Sequence, residues 1–132
     1  MRTEEVLYLL VNENVARLVR TAGTLDEMRE IGQVERKSFA DSHRHAGSSP
    51  GTDHDGRARH AFKKHVAEFA ATGWKAEGQP RVVIAAAAKV LGELRKALHK
   101  EFAEAVVNEQ HKDLAGLPLQ ELPSHFKHIG VV

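Results

Sequence analysis

Two uninterrupted apolar runs limit what this chain can fold into. Residues 5–11 read Glu-Val-Leu-Tyr-Leu-Leu-Val, and residues 81–87 read Arg-Val-Val-Ile-Ala-Ala-Ala. Neither alternates with polar residues, as a strand with one wet face would. Both fall far short of the ~20 apolar residues that a membrane helix requires. They read as strands covered on both faces, the second as a central strand of a parallel or mixed sheet. A sheet built around them needs material packed on it.

The rest of the chain supplies that material. Asn12-Glu13-Asn14 is a tight-turn sequence, since Asn tolerates positive φ, and Val15 to Arg20 reads as a second strand, closing a hairpin. Thr21-Ala22-Gly23-Thr24 is a second turn. Leu25 to Val34 alternates poorly; a third strand ending near Ile31 to Val34 is expected, with a helical turn as the alternative. Arg57 to Thr72 is an amphipathic helix, with Ala58, Phe62, His65 or Val66, Phe69 and Ala70 inward and Arg57, Lys63, Lys64 and Glu68 outward. Asp53 or Asp55 would cap its start and Gly73 would end it. A second helix carries Leu91, Leu94, Leu98 and Phe102 inward, with Lys89, Glu93, Lys96 and Lys100 outward. Residues 105–108 then close a strand–helix–strand unit, whose crossover should be right-handed. A short helix starts at Pro118 and runs to about Phe126, and Pro123 kinks or restarts it. The expected fold is α/β (α+β-like): a mixed sheet with an N-terminal hairpin, two longer helices and a short C-terminal helix. It forms one domain over residues 1–132, with a long polar loop at about 37–56.

Composition closes off several functions. The chain has no cysteine, which removes disulfides and thiolate metal sites. A formal charge of +1 offers no global attraction to nucleic acid or anionic membrane, so any such binding needs a local patch. Aromatics make up 5% of residues, too few for an extended base-stacking surface. The apolar start is too short and too acidic for a secretory signal. The expected protein is cytoplasmic, without membrane insertion.

The stretch Asn108 to Leu122 carries a resemblance. Its Lys112-Asp113-Leu114, Leu117-Pro118 and Glu121-Leu122 resemble the closing motif of the bacterial host-attachment proteins. The strand and helix from Val82 to Leu98, and the strand Val15 to Arg20, resemble segments of the same family. The family usually has a Pro-Pro pair after the apolar strand, where this chain has Ala86-Ala87-Ala88. Its fold is similar to the middle domain of archaeal and eukaryotic class-1 release factors and of pelota. In a release factor, a Gly-Gly-Gln before the long helix helps position water for peptidyl-tRNA hydrolysis. Here Gly32-Gln33 and Gly78-Gln79 each lack the second glycine, and neither sits in the loop that precedes the first helix.

Three constellations could carry chemistry. His43, His45, Asp53, His54 and Asp55 have ligand types that suit Zn²⁺ or Ni²⁺, but their spacing matches no established site, and a solvated polar loop is the plainer reading. Arg44, Arg57, Arg59, Lys63 and Lys64 could meet phosphates of RNA or face a partner; the alternative is a solvated helix face. Lys112 and Asp113, with Leu114, Leu117, Pro118, Glu121 and Leu122, fit a structural turn better than a catalytic pair. No nucleophile elbow or phosphate-binding glycine loop is present.

The leading expectation is a non-enzymatic interaction protein of host-attachment type, without cofactor and with an unidentified protein partner. The alternatives are an RNA- or ribosome-associated domain without Gly-Gly-Gln chemistry, and a metal-dependent hydrolase using the loop histidines.

Overall fold

The two apolar runs lie side by side at the middle of a five-stranded sheet. The computed structural model describes residues 6–21, 27–36 and 54–126, with side chains from Ala61 onward in the last stretch. The strands are β1 (Val6–Val11), β2 (Val15–Thr21), β3 (Met28–Glu35), β4 (Arg81–Ala85) and β5 (Val106–Gln110). The helices are α1 (His54–Ala76), α2 (Ala88–Ala97), α3 (Lys100–Glu104) and α4 (Leu122–Phe126), with a 3₁₀ turn at Leu119–Glu121 before α4. Strand order is β3-β2-β1-β4-β5. β2 runs antiparallel to both neighbours, whereas β1, β4 and β5 are parallel. This is the mixed sheet with an N-terminal hairpin that the sequence implied, and the third strand takes the place of the helical turn.

Side-chain alternation along β1 divides the core in two. Leu7, Leu9 and Val11 pack with Leu18, Val82 and Ile84 against Phe62, Val66, Ala70 and Trp74 of α1, Leu91 and Leu94 of α2, and Phe102 of α3. On the opposite face Val6, Tyr8 and Leu10 pack with Val19, Val83 and Ala85 under Leu114, Ala115, Leu122 and Phe126. Every residue of β1 is at most 1% exposed, so both covers are complete over it.

Local chemistry sets the connections, and in several places it differs from the sequence expectation. The β1–β2 turn does not use positive φ at an Asn; among the described residues only Gln79 and Gly78 have positive φ. Instead the Asn12 Oδ1 accepts from the backbone N–H of Asn14 and of Val15, at 2.8 and 2.9 Å, an Asx turn that pre-closes the hairpin. α1 does not stop at Gly73. A Cβ there would stand 2.4 Å from Leu18 Cδ1, so the glycine serves close helix–sheet approach. The helix ends one turn later, at Ala76, where Gly78 (φ 88°) and Gln79 (φ 58°) reverse the chain. The single second helix becomes α2 and α3, separated by Leu98 and His99 in extended conformation. Phe102 still enters the core, edge-on to Trp74 at 5.7 Å between centroids. The last strand begins at Val106, one residue later than expected. Pro123 restarts the terminal helix: the 3₁₀ turn precedes it and α4 begins at Leu122.

Each edge strand carries an irregularity. The β2–β3 register shifts between Leu18 and Val19, leaving Ile31 as the extra residue, and the β4–β5 register shifts beside Val107. Bulges at edges disfavour further strand pairing.

Two predictions follow from the packing. Gly73→Ala should lower stability by about 1–2 kcal/mol, because overpacking against buried Leu18 outweighs the gain in helix propensity. In a Leu18→Ala background the same change should become neutral or stabilising, as read from urea unfolding midpoints in a double-mutant cycle. Tyr8 is fully buried against Phe126, and its hydroxyl finds no hydrogen-bond partner. Burial pushes its pKa up to about 12. The unfolded chain ionises near pH 10, so stability should be intact below pH ~10 and fall between pH ~10 and ~12, the window in which the unfolded state has released its proton and the folded state still holds it. Tyr8→Phe should remove that alkaline slope and leave neutral-pH stability equal or higher, measured by denaturant titration across the range.

Candidate functional site

The basic set expected on one helix face is divided by the fold. Lys64 is exposed, as is Glu68. Lys63 points inward: it is 7% exposed, and its Nζ lies 2.6 Å from Glu93 Oε1 on α2. Position 63 immediately follows Phe62, which is in the core, so the lysine stem lies in the α1–α2 seam and its charge needs a carboxylate there. The expectation that Lys63 faces solvent is corrected accordingly. Arg44 lies outside the described residues, as do the side chains of Arg57 and Arg59, although positions 57 and 59 belong to α1.

The histidine–aspartate constellation is likewise beyond reach. His43, His45 and Asp53 lie outside the described residues, and the side chains of His54 and Asp55 are not among those described. No group of three or more potential ligands occurs among the described residues. The two Gly-Gln pairs serve other ends. Gly32-Gln33 lies inside β3, with Gly32 against Phe69, and Gly78-Gln79 forms the turn between α1 and β4.

The C-terminal motif is brought together around a residue that sequence reasoning passed over. Arg17 in β2 is 6% exposed. Its Nη2 lies 2.8 Å from Glu30 Oε1 on β3, and its Nε donates to the same carboxylate at 3.2 Å. Its Nη1 donates to the carbonyls of Ala115 and Leu117, at 3.0 and 2.6 Å. One guanidinium thus clamps the edge strand and the chain segment that crosses the second face. The clue in the sequence was its position: Arg17 shares the period-2 face of Val15 and Val19.

Around this clamp the motif residues take structural places. Leu114 and Leu122 are buried and Leu117 is partly buried in the second core. Pro118 leads into the 3₁₀ turn, where the Glu121 N–H donates to the Pro118 carbonyl at 3.0 Å. Asp113 accepts from Asn12 Nδ2 at 3.3 Å, joining the end of β5 to the first hairpin. Lys112 is exposed. Beside the clamp lies an open groove of about 530 Å³, lined by Gln33 and Glu35 of β3 and by Gly116, Leu117 and Pro118. The buried charge in its lining, Arg17, is committed to Glu30 and to the two carbonyls.

Arg17→Ala should destabilise the domain by about 3 kcal/mol, because it strands two carbonyls and Glu30 under the C-terminal segment. Arg17→Lys should recover only part of that, since an ammonium cannot serve the carboxylate and both carbonyls with fixed forked geometry. Unfolding midpoints with tryptophan fluorescence of Trp74 would measure both.

Comparison with known proteins agrees with this architecture. Among curated proteins none matches the chain. Two archaeal structures share the fold. One, described as "archaeal translation termination factor, aRF1", is 15% identical, with a TM-score of 0.56 over 86% of this chain and 32% of the other. The second, described as "Archaeal protein", is 16% identical, with a TM-score of 0.59 over 97% and 34%. This chain therefore spans about a third of the length of those structures. The family model for bacterial archaeo-eukaryotic release factor family 12 matches residues 6–126. The host-attachment name suggested by the C-terminal motif is not supported by these matches, whereas the release-factor-like fold is. The chain belongs to bacterial archaeo-eukaryotic release factor family 12.

Proposed function

We propose that this protein is an RNA- or ribosome-associated domain of release-factor type that acts by binding and not by hydrolysis. The observation that carries the reading is the family match over residues 6–126, on a sheet whose order and helices resemble a domain of an archaeal termination factor. Fold alone does not assign function, so the reading also needs a chemistry. Binding is favoured over catalysis by the fate of the glutamines: Gln33 and Gln79 serve a strand and a turn, and residues 37–53 contain no glutamine. Such a role is cytoplasmic. No helix among the described residues is long and apolar enough to cross a membrane.

A protein-interaction role of host-attachment type predicts different behaviour in solution, and one experiment separates the two. Cell lysate would be layered on a density gradient after adding the tagged chain, at low and at high salt, with and without ribonuclease. Comigration with ribosomal particles at low salt, lost at high salt as phosphate contacts are screened, is the expected result. Comigration with a protein complex that ignores both ribonuclease and salt would overturn the RNA reading.

A further inference from the structure

The groove beside the Arg17 clamp takes no part in the RNA reading. We propose that it receives an arginine side chain from an extended segment of a protein partner. The guanidinium would sit on Glu35 and Gln33, with its stem along Val15, Leu117 and Pro118. The inference rests on the groove and stands apart from the RNA reading, giving the domain a second, protein-binding face.

The fold makes this cleft by leaving part of the sheet uncovered. Arg17 pins the crossing segment at the carbonyls of Ala115 and Leu117. Beyond that point the same face of the sheet continues to its edge. The β2–β3 register pairs Val15 with Glu35 and Arg17 with Gln33, and directly opposed residues share a face. Gln33 and Glu35 therefore form one wall of the groove, and Gly116, Leu117 and Pro118 form the other, with Val15 between them on β2. Its volume of about 530 Å³ lies in the range of sites that enclose small ligands, and is ample for one long side chain. Nothing stands over Gly116: a Cβ added there would meet no atom within 4 Å.

The lining asks for a donor that carries positive charge. Two of its residues are charged, Arg17 and Glu35. Arg17 is matched by Glu30 and has turned both Nη1 donors to carbonyls. Glu35 is exposed, and among the described residues its carboxylate accepts from the neutral Gln33 amide at a long 3.4 Å. The uncompensated charge of the lining is therefore one carboxylate. The charges next along the chain come in opposite signs, Glu13 and Arg36 at the first hairpin and Lys112 beside Asp113, and add no net charge to it. Position 36 also falls on the other side of the β3 alternation from Glu35. A phosphate would be repelled here, and no aromatic lines the groove to stack a base. A guanidinium fits: its planar fork serves the carboxylate and the Gln33 amide oxygen together. Its stem covers the apolar surface of Val15, Leu117 and Pro118. An ammonium meets the carboxylate without that forked geometry.

The test is an NMR titration of the ¹⁵N-labelled protein with a capped alanine pentapeptide carrying a central arginine. Counterparts carry citrulline, which keeps the shape and lacks the charge, or lysine. The expected result at millimolar peptide is a set of shift changes centred on the backbone amides of Gln33, Glu35 and Gly116. Citrulline should bind roughly tenfold more weakly, and Glu35→Gln should lose the same factor for arginine. Gly116→Leu, which fills the groove from a position with open space above it, should abolish the shifts. A dispersed spectrum confirms that each variant is folded. Shifts centred elsewhere, equal binding of citrulline, full affinity in either variant, or no shift in the wild type overturns the proposal. Lysine binding as well as arginine overturns the choice of guanidinium. Shifts at the same amides from a single-stranded RNA, with none from the arginine peptide, overturn the protein partner in favour of a nucleobase. The density gradient above tests the RNA reading by a separate readout, so either reading can fail while the other stands.

Discussion

Burial of β1 and β4 on both faces is the constraint around which the rest of this structure is arranged. Every residue from Val6 to Val11, and from Val82 to Ala86, is essentially excluded from solvent. At about 25 cal/mol per Å² of apolar area, losing either cover would expose enough surface to undo a marginally stable domain. The chain therefore supplies two covers of different kinds. α1, α2 and α3 form a regular helical layer on one face. On the other, a short and largely irregular segment, Leu114 to Phe126, crosses the sheet.

An irregular cover has few backbone hydrogen bonds of its own, and its carbonyls must be satisfied from outside. Arg17 meets that need from within the sheet. It is buried, its charge is matched by Glu30, and two of its donor contacts go to carbonyls of the covering segment. A hydrophobic residue at that position would pack but could not hold the segment in register. The same logic explains Lys63 and Glu93 in the α1–α2 seam, where a long stem is buried and its charge is returned to a carboxylate. Both pairs remove cations from the set that a surface reading would count as available to a partner. The consequence is that the middle of α1 offers less free positive charge than its sequence suggests.

The family assignment and the domain's chemistry are separate matters. A release-factor-like sheet is a scaffold whose loops and helix ends can be refitted. In this chain Gly32 lies in β3 near the bulge and under Phe69, while Gly78 turns the chain at positive φ. Their neighbours Gln33 and Gln79 follow the backbone into a strand and a turn. The scaffold is shared with a termination factor, while the glutamine chemistry is not legible in this chain.

Much of the fold could be read from the sequence because it depends on local periodicity. The two unbroken apolar runs specified central strands, the 3.6-residue pattern specified α1, and Pro118 and Pro123 specified a broken terminal helix. Each of these is a preference of neighbouring residues for one backbone geometry. What the pattern could not show depended on residues far apart in the chain. Gly73 looks like a helix stop until Leu18 is found against it. Lys63 looks solvent-facing until Glu93 arrives across the seam, and Arg17 looks like one more surface arginine until Ala115 and Leu117 lie over it. The break at Leu98 and His99 carries no proline or glycine to announce it. By itself the sequence determined which segments are strands and helices and which faces are apolar, because hydrophobic periodicity acts over a few residues. Only the tertiary structure decided which charges remain available to a partner, because an ion pair forms between residues that only the folded sheet brings within a few ångströms.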